Sequence, residues 1–319
     1  MAWYIGGMET PEKRRWYRPT PGWLIYGLLV VEGLLWLSER YRWFWFNEMK
    51  GWTVLIAVAV VGIALLLMLF WFAVALLFRR RFQFSIRSLL VLTVAVAVPC
   101  SWLGVEIKKA QKQKQAVAAI VNVGGTTGYD YEFGASGSPM LAPKPPQPEW
   151  LGKLLGPGFF ADVVYVSLSG PEITDAGLAN LKGLGRLRWL YIYSRKVTDA
   201  GLENLKGLDQ LQRLDLYGDS FTDKGLKHLK KMRELKYLVL FSNKVTDAGL
   251  ATLRGMSQLR ELYLRHADVT DAGLDNLKGL NQLEELGLSG PITDEGLEKL
   301  RRALPNCKIK REELVIPEM

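Results

Sequence analysis

The sequence predicts an α/β repeat solenoid, parallel sheet concave and helices convex, preceded by an all-α transmembrane region of about three helices. Three observations carry that expectation. The hexapeptide "VTDAGL" at 197–202 returns as "ITDAGL" (173–178), "FTDKGL" (221–226), "VTDAGL" (245–250 and 269–274) and "ITDEGL" (292–297). Its Thr-Asp pair stands at 174, 198, 222, 246 and 270, a constant 24-residue step, and then at 293. The first hundred residues, in contrast, hold long apolar runs, among them 27 uncharged residues from Trp52 to Phe78.

The three membrane segments come first in the chain. A bilayer core needs roughly 20 apolar residues at about 1.5 Å each, so 52–78 spans with some overhang or tilt. "IRSLLVLTVAVAVPCSWLGV", with Pro99 near its far end, supplies a second span at about 87–105. "GWLIYGLLVVEGLLWLS" (22–38) is shorter and contains Glu32; it reads as a further span, followed by the aromatic belt "YRWFWF" (41–46), whose rings prefer the headgroup zone. It lacks the small-residue cleavage site of a secretory leader. Glu32 has two readings: a functional proton site or partner for a neighbouring helix, or a carboxyl that reaches the interface from a loosely placed helix. Three spans put the chain ends on opposite sides. Arg79-Arg80-Arg81 favours a cytoplasmic 79–87 loop, which leaves everything after residue 106 outside the cell membrane.

The charge balance agrees with a membrane protein. Residues 1–150 hold 16 Lys/Arg against 9 Asp/Glu, and residues 151–319 hold 25 against 23, so the formal excess of +9 sits mostly beside apolar runs. That placement fits membrane flanks and argues against nucleic acid as a partner. Two cysteines, Cys100 and Cys307, and two histidines, His228 and His266, cannot build a disulfide framework or a His/Cys metal cluster.

After the membrane region (1–106), "KKAQKQKQAVAAIVNVGG" reads as a juxtamembrane helix ending at Gly124-Gly125. Alternating "GYDYEF" reads as a strand, completing a segment over 107–135. Gly124-Gly125 has neither the spacing nor the lysine of a phosphate loop. "ASGSPMLAPKPPQPEW" supplies a Pro-rich linker at 136–149.

The repeat domain occupies 150–319 with its end caps. Each repeat combines L-x-x-L-x-L, whose first positions are Val163, Leu187, Leu211, Leu235, Leu259 and Leu283, with T-D-x-G-L-x-x-L. "LQRLDLY" (211–217) sets Leu214 and Leu216 against Arg213, Asp215 and Tyr217, as a strand does. "TDAGLENLKGL" aligns Leu202, Leu205 and Leu208 on one helical stripe. One such unit cannot bury its apolar face alone, but stacked units can. With these motifs the sequence resembles the leucine-rich repeat proteins, specifically the bacterial variety built on "VTDAGL" turns, over about residues 160–310. "RRRFQFSIRSLLVLTVAVAV" with "AVAAIVNVGG" and "YDYEF" also looks like the membrane-anchor lead ahead of such arrays. The asparagine usual to these repeats survives only at Asn243, with Arg195, Asp219 and Ala267 at the equivalent places. "EWLGKLLGPGFFADVVYVSLSG" and "LRRALPNCKIKREELVI" read as caps, the latter breaking the period at Pro305.

The resemblance implies that residues between the strand leucines line a concave binding surface. The columns run Trp189, Arg213, Tyr237, Glu261, Glu285; Tyr191, Asp215, Val239, Tyr263, Gly287; and Tyr193, Tyr217, Phe241, Arg265, Ser289. Aromatics and arginine are what interface hot spots favour, although aromatics also simply suit a sheet surface. Nothing points to catalysis: there is no metal-ligand spacing, nucleophile elbow or Walker lysine, so no enzyme activity, cofactor or metal is expected. Thr174, Thr198, Thr222, Thr246, Thr270 and Thr293 are expected as helix starts, each hydroxyl capping backbone N–H groups. The expected function is non-catalytic binding of a protein or a glycan by a membrane-anchored repeat domain. Alternatives are a ligand-sensing subunit acting through a partner membrane protein, and a structural envelope spacer.

Overall fold

The computed structural model describes residues 21–41, 51–77, 86–134 and 137–311. The aromatic belt beyond Tyr41 and the arginine loop at 79–81 lie outside the described residues. The chain forms two compact units, one ending at Gly104 and the other continuing from Val105.

The first unit contains helices α1 (Pro21–Tyr41) and α2 (Trp52–Leu77) and the beginning of α3 (Ile86–Asn122). Leu28, Val61 and Ala95, one from each helix, form its buried cluster, with Val60, Ala64 and Leu65 packed around them. Ile63, Leu66, Leu69 and Phe70 of α2 lie exposed. Among the described residues one helix, Trp52–Phe70, is long and apolar enough to cross a membrane by length and composition. Three spans were expected. The first expected one lies in α1, within which the described residues hold a shorter apolar helix, Gly27–Ser38. The third is the opening part of α3, whose side chains before Leu90 lie outside the described residues.

In place of a span followed by a separate juxtamembrane helix there is one continuous helix, α3, with Pro99 inside it. The expected strand is also displaced. β1 is Thr126–Tyr129 and gives way to a single 3-10 turn over Asp130–Glu132. Side chains decide this: the Tyr129 N–H donates to the Glu132 carboxylate at 2.8 Å and the Tyr131 N–H to Asp130 Oδ1 at 2.9 Å, local bonds that compete with a strand ladder.

The second unit is the solenoid. After α4 (Glu149–Leu155) and α5 (Pro157–Phe160), its strands are β2 (Val163–Ser169), β3 (Trp189–Tyr193), β4 (Arg213–Tyr217), β5 (Tyr237–Phe241), β6 (Glu261–Arg265), β7 (Glu285–Leu288) and β8 (Lys308–Arg311). They pair in sequence order, all parallel except that β1 runs antiparallel to β2. Leu190, Leu214, Leu238, Leu262 and Leu286 lie directly opposite one another and are fully buried. A 24-residue repeat necessarily gives this register, because like positions stack on like. Short helices α6 (Asp175–Leu178), α7 (Asp199–Leu202), α8 (Asp223–Leu226), α9 (Asp247–Leu253), α10 (Asp271–Leu274) and α11 (Asp294–Ala303) alternate with the strands. Each buries a leucine such as Leu202 or Leu226 in the same core, worth about 1.5–3 kcal/mol per side chain.

The caps differ from expectation. The C-terminal part of α3, expected as an intervening segment, belongs to the solenoid: Ala116 and Ile120 lie in its core with Val117 and Val123 against it. Gln113 Nε2 donates to the Ala161 carbonyl at 3.0 Å, and Phe159 and Phe160 of α5 are fully buried. β1 covers the outer edge of β2. At the other end β8 forms the last strand; its exposed Lys308, Lys310 and Arg311 are the charges that keep an edge strand from recruiting another chain.

The Thr-Asp pair is a joint between neighbouring repeats. Each of the six threonines is an N-cap residue. Thr198 Oγ1 accepts from the Ala200 N–H at 3.2 Å and donates to Asp175 Oδ2 of the preceding repeat at 2.6 Å. The Thr198 N–H donates to Asp175 Oδ1 at 2.8 Å. The same two bonds link Thr222 to Asp199, Thr246 to Asp223, Thr270 to Asp247 and Thr293 to Asp271. Thr174, with no repeat before it, makes no side-chain cap bond. The aspartate thus holds the next coil.

The glycine of the motif follows from this. A Cβ on Gly225 would lie 2.5 Å from Asp199 Oδ1 and 2.8 Å from Leu202 Cδ1. Gly201, Gly249, Gly273 and Gly296 meet the preceding aspartate in the same way, whereas Gly177 has nothing within 4 Å. Where a preceding carboxylate must reach the helix start, there is no room for a side chain.

Candidate functional site: the open sheet face

The sheet places the three expected columns side by side, in the register Trp189–Arg213–Tyr237–Glu261–Glu285, Tyr191–Asp215–Val239–Tyr263–Gly287 and Tyr193–Tyr217–Phe241–Arg265. Not all of them face solvent. Trp189, expected on the binding surface as the first residue of the first column, is 5% exposed. Phe133 stacks on Tyr165 at 5.0 Å between ring centroids and lies 5.7 Å from Trp189. Phe133 also bridges to Pro139, and Gly137 sits so near that a Cβ would approach Trp189 Cε2 to 2.7 Å. The chain itself covers this end of the face, so the open surface begins at Tyr191 and Arg213.

Asp215 is also inaccessible, at 3% exposed. Its carboxylate accepts from Arg213 Nε at 3.0 Å and Nη2 at 3.1 Å, a two-point grip that fixes the guanidinium plane. Arg213 consequently lies over the Tyr191 ring at 5.4 Å and the Tyr237 ring at 5.9 Å, a cation–π arrangement. Burial pushes the Asp215 carboxyl above its usual range, and the Arg213 hydrogen bond and charge pull it partly back. Asp215 is therefore a positioning residue for Arg213.

The third column is a continuous aromatic stack. Ring centroids lie 4.4 Å apart for Tyr193–Tyr217, 5.6 Å for Tyr217–Phe241 and 4.4 Å for Phe241–His266. All four are half-buried. Burial raises the Tyr193 and Tyr217 phenols, which keeps both protonated and able to donate. Beyond the stack, Arg265 lies over Tyr263 at 6.0 Å. Glu261 is raised by burial and then by Glu285, whereas Glu285 is lowered by its hydrogen bond with Lys310.

His266 was not anticipated here, nor were Phe133 and Tyr165. The signal for His266 is the repeat register. Its position, just after the strand, holds Gly170, Ser194, Gly218, Ser242 and Gly290 in the other repeats, and a histidine is the one large residue among them. It sits in the left-handed region at φ +55°, a conformation histidine tolerates better than most. Its backbone N–H donates to Ser289 Oγ at 2.7 Å. Small residues elsewhere at this position stitch the loops: Ser194 Oγ donates to the Ile173 carbonyl at 2.7 Å and Ser242 Oγ to that of Phe221 at 3.2 Å.

Residues 231–253 and 256–278 match the family model for Leucine Rich repeat. No curated protein matches the chain. Among solved structures, the chain is similar to an internalin from Listeria monocytogenes, with 26% identity and a TM-score of 0.36 over 45% of this chain and 38% of that one. It is also similar to a leucine-rich repeat protein of Leptospira interrogans, with 20% identity and a TM-score of 0.36 over 46% and 36% of the two chains. For the PEPR1–AtPEP1 structure the identity is 16% and the TM-score 0.29, over 47% and 24%. The similarity thus spans well under half the length of each of these proteins. Both matched segments, 231–253 and 256–278, lie within the 24-residue leucine register of the solenoid.

Proposed function

We propose that this chain is a membrane-anchored leucine-rich repeat protein whose concave face binds a protein partner, with no catalysis of its own. The observation that carries the reading is the accessible stack Tyr193–Tyr217–Phe241–His266 beside the Asp215-oriented Arg213. Rigid aromatics and a pre-positioned arginine lose little conformational entropy on binding. A glycan would use the same ring edges and phenol donors. Photo-crosslinking amino acids at Tyr217 and Tyr237 should trap one partner that the same group at Lys206, on the helix side, does not. Tyr217→Glu and Tyr237→Glu should abolish its capture; capture unchanged by both would refute the concave-face reading.

Helix Trp52–Phe70 supports attachment to a membrane; the multi-pass arrangement in the cell membrane and the extracytoplasmic repeat domain are proposed from the sequence alone, from the apolar segments at 22–38 and 87–105 and from Arg79–Arg81. Burial pushes the Cys307 thiol up to about 11, so it labels slowly; a cysteine at exposed Lys224 is the better probe of sidedness in intact cells.

A second reading, a ligand-sensing subunit acting through another membrane protein, is favoured by α3, one helix from Ile86 to the solenoid-core residue Ile120. Glu32, with a buried Oε1 lacking a hydrogen-bond partner, is its candidate polar contact. Recovery of no membrane protein on purification in mild detergent sinks this version.

A further inference from the structure

The loops of the repeat domain divide its charge between two edges. Five segments lead from the helix side into the next strand: 182–188, 206–212, 230–236, 254–260 and 278–284. Together they hold 11 Lys/Arg and 3 Asp/Glu. The five that lead from a strand into a helix, 170–175, 194–199, 218–223, 242–247 and 266–271, hold 3 Lys/Arg and 8 Asp/Glu. The small net charge of the repeat domain thus conceals a basic edge and an acidic one.

The acidic edge is the seam, whose aspartates bond the following coil. The basic edge has no such use within the fold. Lys182, Arg186, Arg188, Lys230, Arg233 and Arg254 are all exposed, and among the described residues none of the six has a carboxylate partner. A helix dipole accounts for a cation that closes a helix, such as Lys182 or Arg254. It does not account for Arg186, Arg188 and Arg233 in the loops beyond.

These charges form lines across the repeats. The Arg188 carbonyl accepts from the Gln212 N–H, the Gln212 carbonyl from the Lys236 N–H and the Lys236 carbonyl from the Arg260 N–H, each at 2.8 Å. Arg188, Lys236 and Arg260 therefore lie on one row crossing strands about 4.8 Å apart. Lys182, Lys230 and Arg254 share a second periodic position. The field of such rows adds along their length, so a chain of anions laid across the coils meets it at several points at once.

The edge offers charge and little else. Its five segments contain no aromatic residue, and Leu184, Leu187, Met232, Leu235, Met256 and Leu259 are buried. A nucleic-acid base would find no ring to stack on, and a protein no apolar anchor for the centre of an interface. Arginine, in contrast, grips phosphate oxygens in pairs.

We infer that this basic edge binds a linear polymer of phosphate groups without bases, laid across the repeats from Arg186 to Arg260. The site is separate from the open sheet face and does not rest on the reading of that face.

The test measures binding of long-chain inorganic polyphosphate to the full chain in a non-ionic detergent over a series of salt concentrations. One variant combines Arg186→Gln, Arg188→Gln, Arg233→Gln and Lys236→Gln. A control combines Arg195→Gln, Lys196→Gln, Lys224→Gln and Lys244→Gln, removing the same charge from the other edge. The first should weaken binding by about tenfold or more and flatten the dependence of log Kd on log salt by roughly 1 per charge removed, while the control stays close to the parent. Its two halves, at 186 and 188 and at 233 and 236, should each carry part of the loss, which keeps the test decisive if the fourfold variant does not fold. No binding by the parent, or an equal loss in variant and control, overturns the inference. So does polyglutamate or single-stranded DNA bound as tightly as polyphosphate: the first leaves only charge, and the second passes the edge to nucleic acid.

Discussion

The helix-side seam and the open sheet face of the same solenoid obey opposite rules. Along the seam, threonine, aspartate and glycine return in every repeat and, from the second repeat on, make the same bonds: Thr222 to Asp199, Thr246 to Asp223, Thr270 to Asp247. Across the leucine core, the equivalent face positions hold Trp189, Arg213, Tyr237 and Glu261, four different residues. A joint between identical coils has one solution, so it repeats. A surface that meets something other than itself has no reason to. The comparison teaches where to look for binding in such a chain: where the period fails.

The largest expected break is in the seam. Gly225→Ala should destabilise by about 3 kcal/mol, because its methyl group collides with Asp199 and Leu202 in a packed core. Gly177→Ala, with open space around it, should stabilise by about 0.5–1 kcal/mol through helix propensity. Thermal melts of the two variants should move in opposite directions, and equal shifts would remove the interlocking explanation for the glycine.

Next comes the face. Arg213→Met leaves the nearly buried Asp215 carboxylate without its partner and should cost about 2 kcal/mol. Arg213→Met with Asp215→Asn should recover much of that, as a double-mutant cycle would record. Thr222→Ala returns to the seam with a smaller effect, about 1 kcal/mol for a lost cap, and should cost more than Thr174→Ala, whose hydroxyl makes no cap bond.

The smallest effect is in acid, and its sign differs between the regions. Asp271 is lowered by the side-chain and backbone hydrogen bonds of Thr293. Its contribution is therefore present above the ordinary carboxylate value of about 3.9 and lost as pH falls through the lower folded value. Asp215 is raised by burial, so its contribution is present below that ordinary value and lost as pH rises through the folded one. In melting temperature against pH, Asp271→Asn should flatten an acid loss and Asp215→Asn a loss toward neutral pH.

Much of this architecture is legible in the residues. The 24-residue leucine step predicts parallel strands in register, and the threonines predict where helices begin, because both depend on local spacing. The face columns are legible as positions but not as surfaces. That Trp189 is covered depends on Phe133 and Gly137, more than fifty residues away in sequence. That Asp215 orients Arg213 rather than contacting a partner depends on its burial. The juxtamembrane segment reads as a separate helix from its lysines and glutamines, yet Ala116 and Ile120 on its other side are solenoid core.

What the sequence determined by itself is the periodic part: the repeat, the strand and helix within each coil, and the residues capping each helix. Period and propensity are properties of neighbours along the chain. The tertiary structure alone decided the reach of the aspartate into the following coil, the assembly of His266 into the aromatic stack, and the end of the face that the chain keeps for itself. Each is a contact between residues brought together only when one coil is laid on the next.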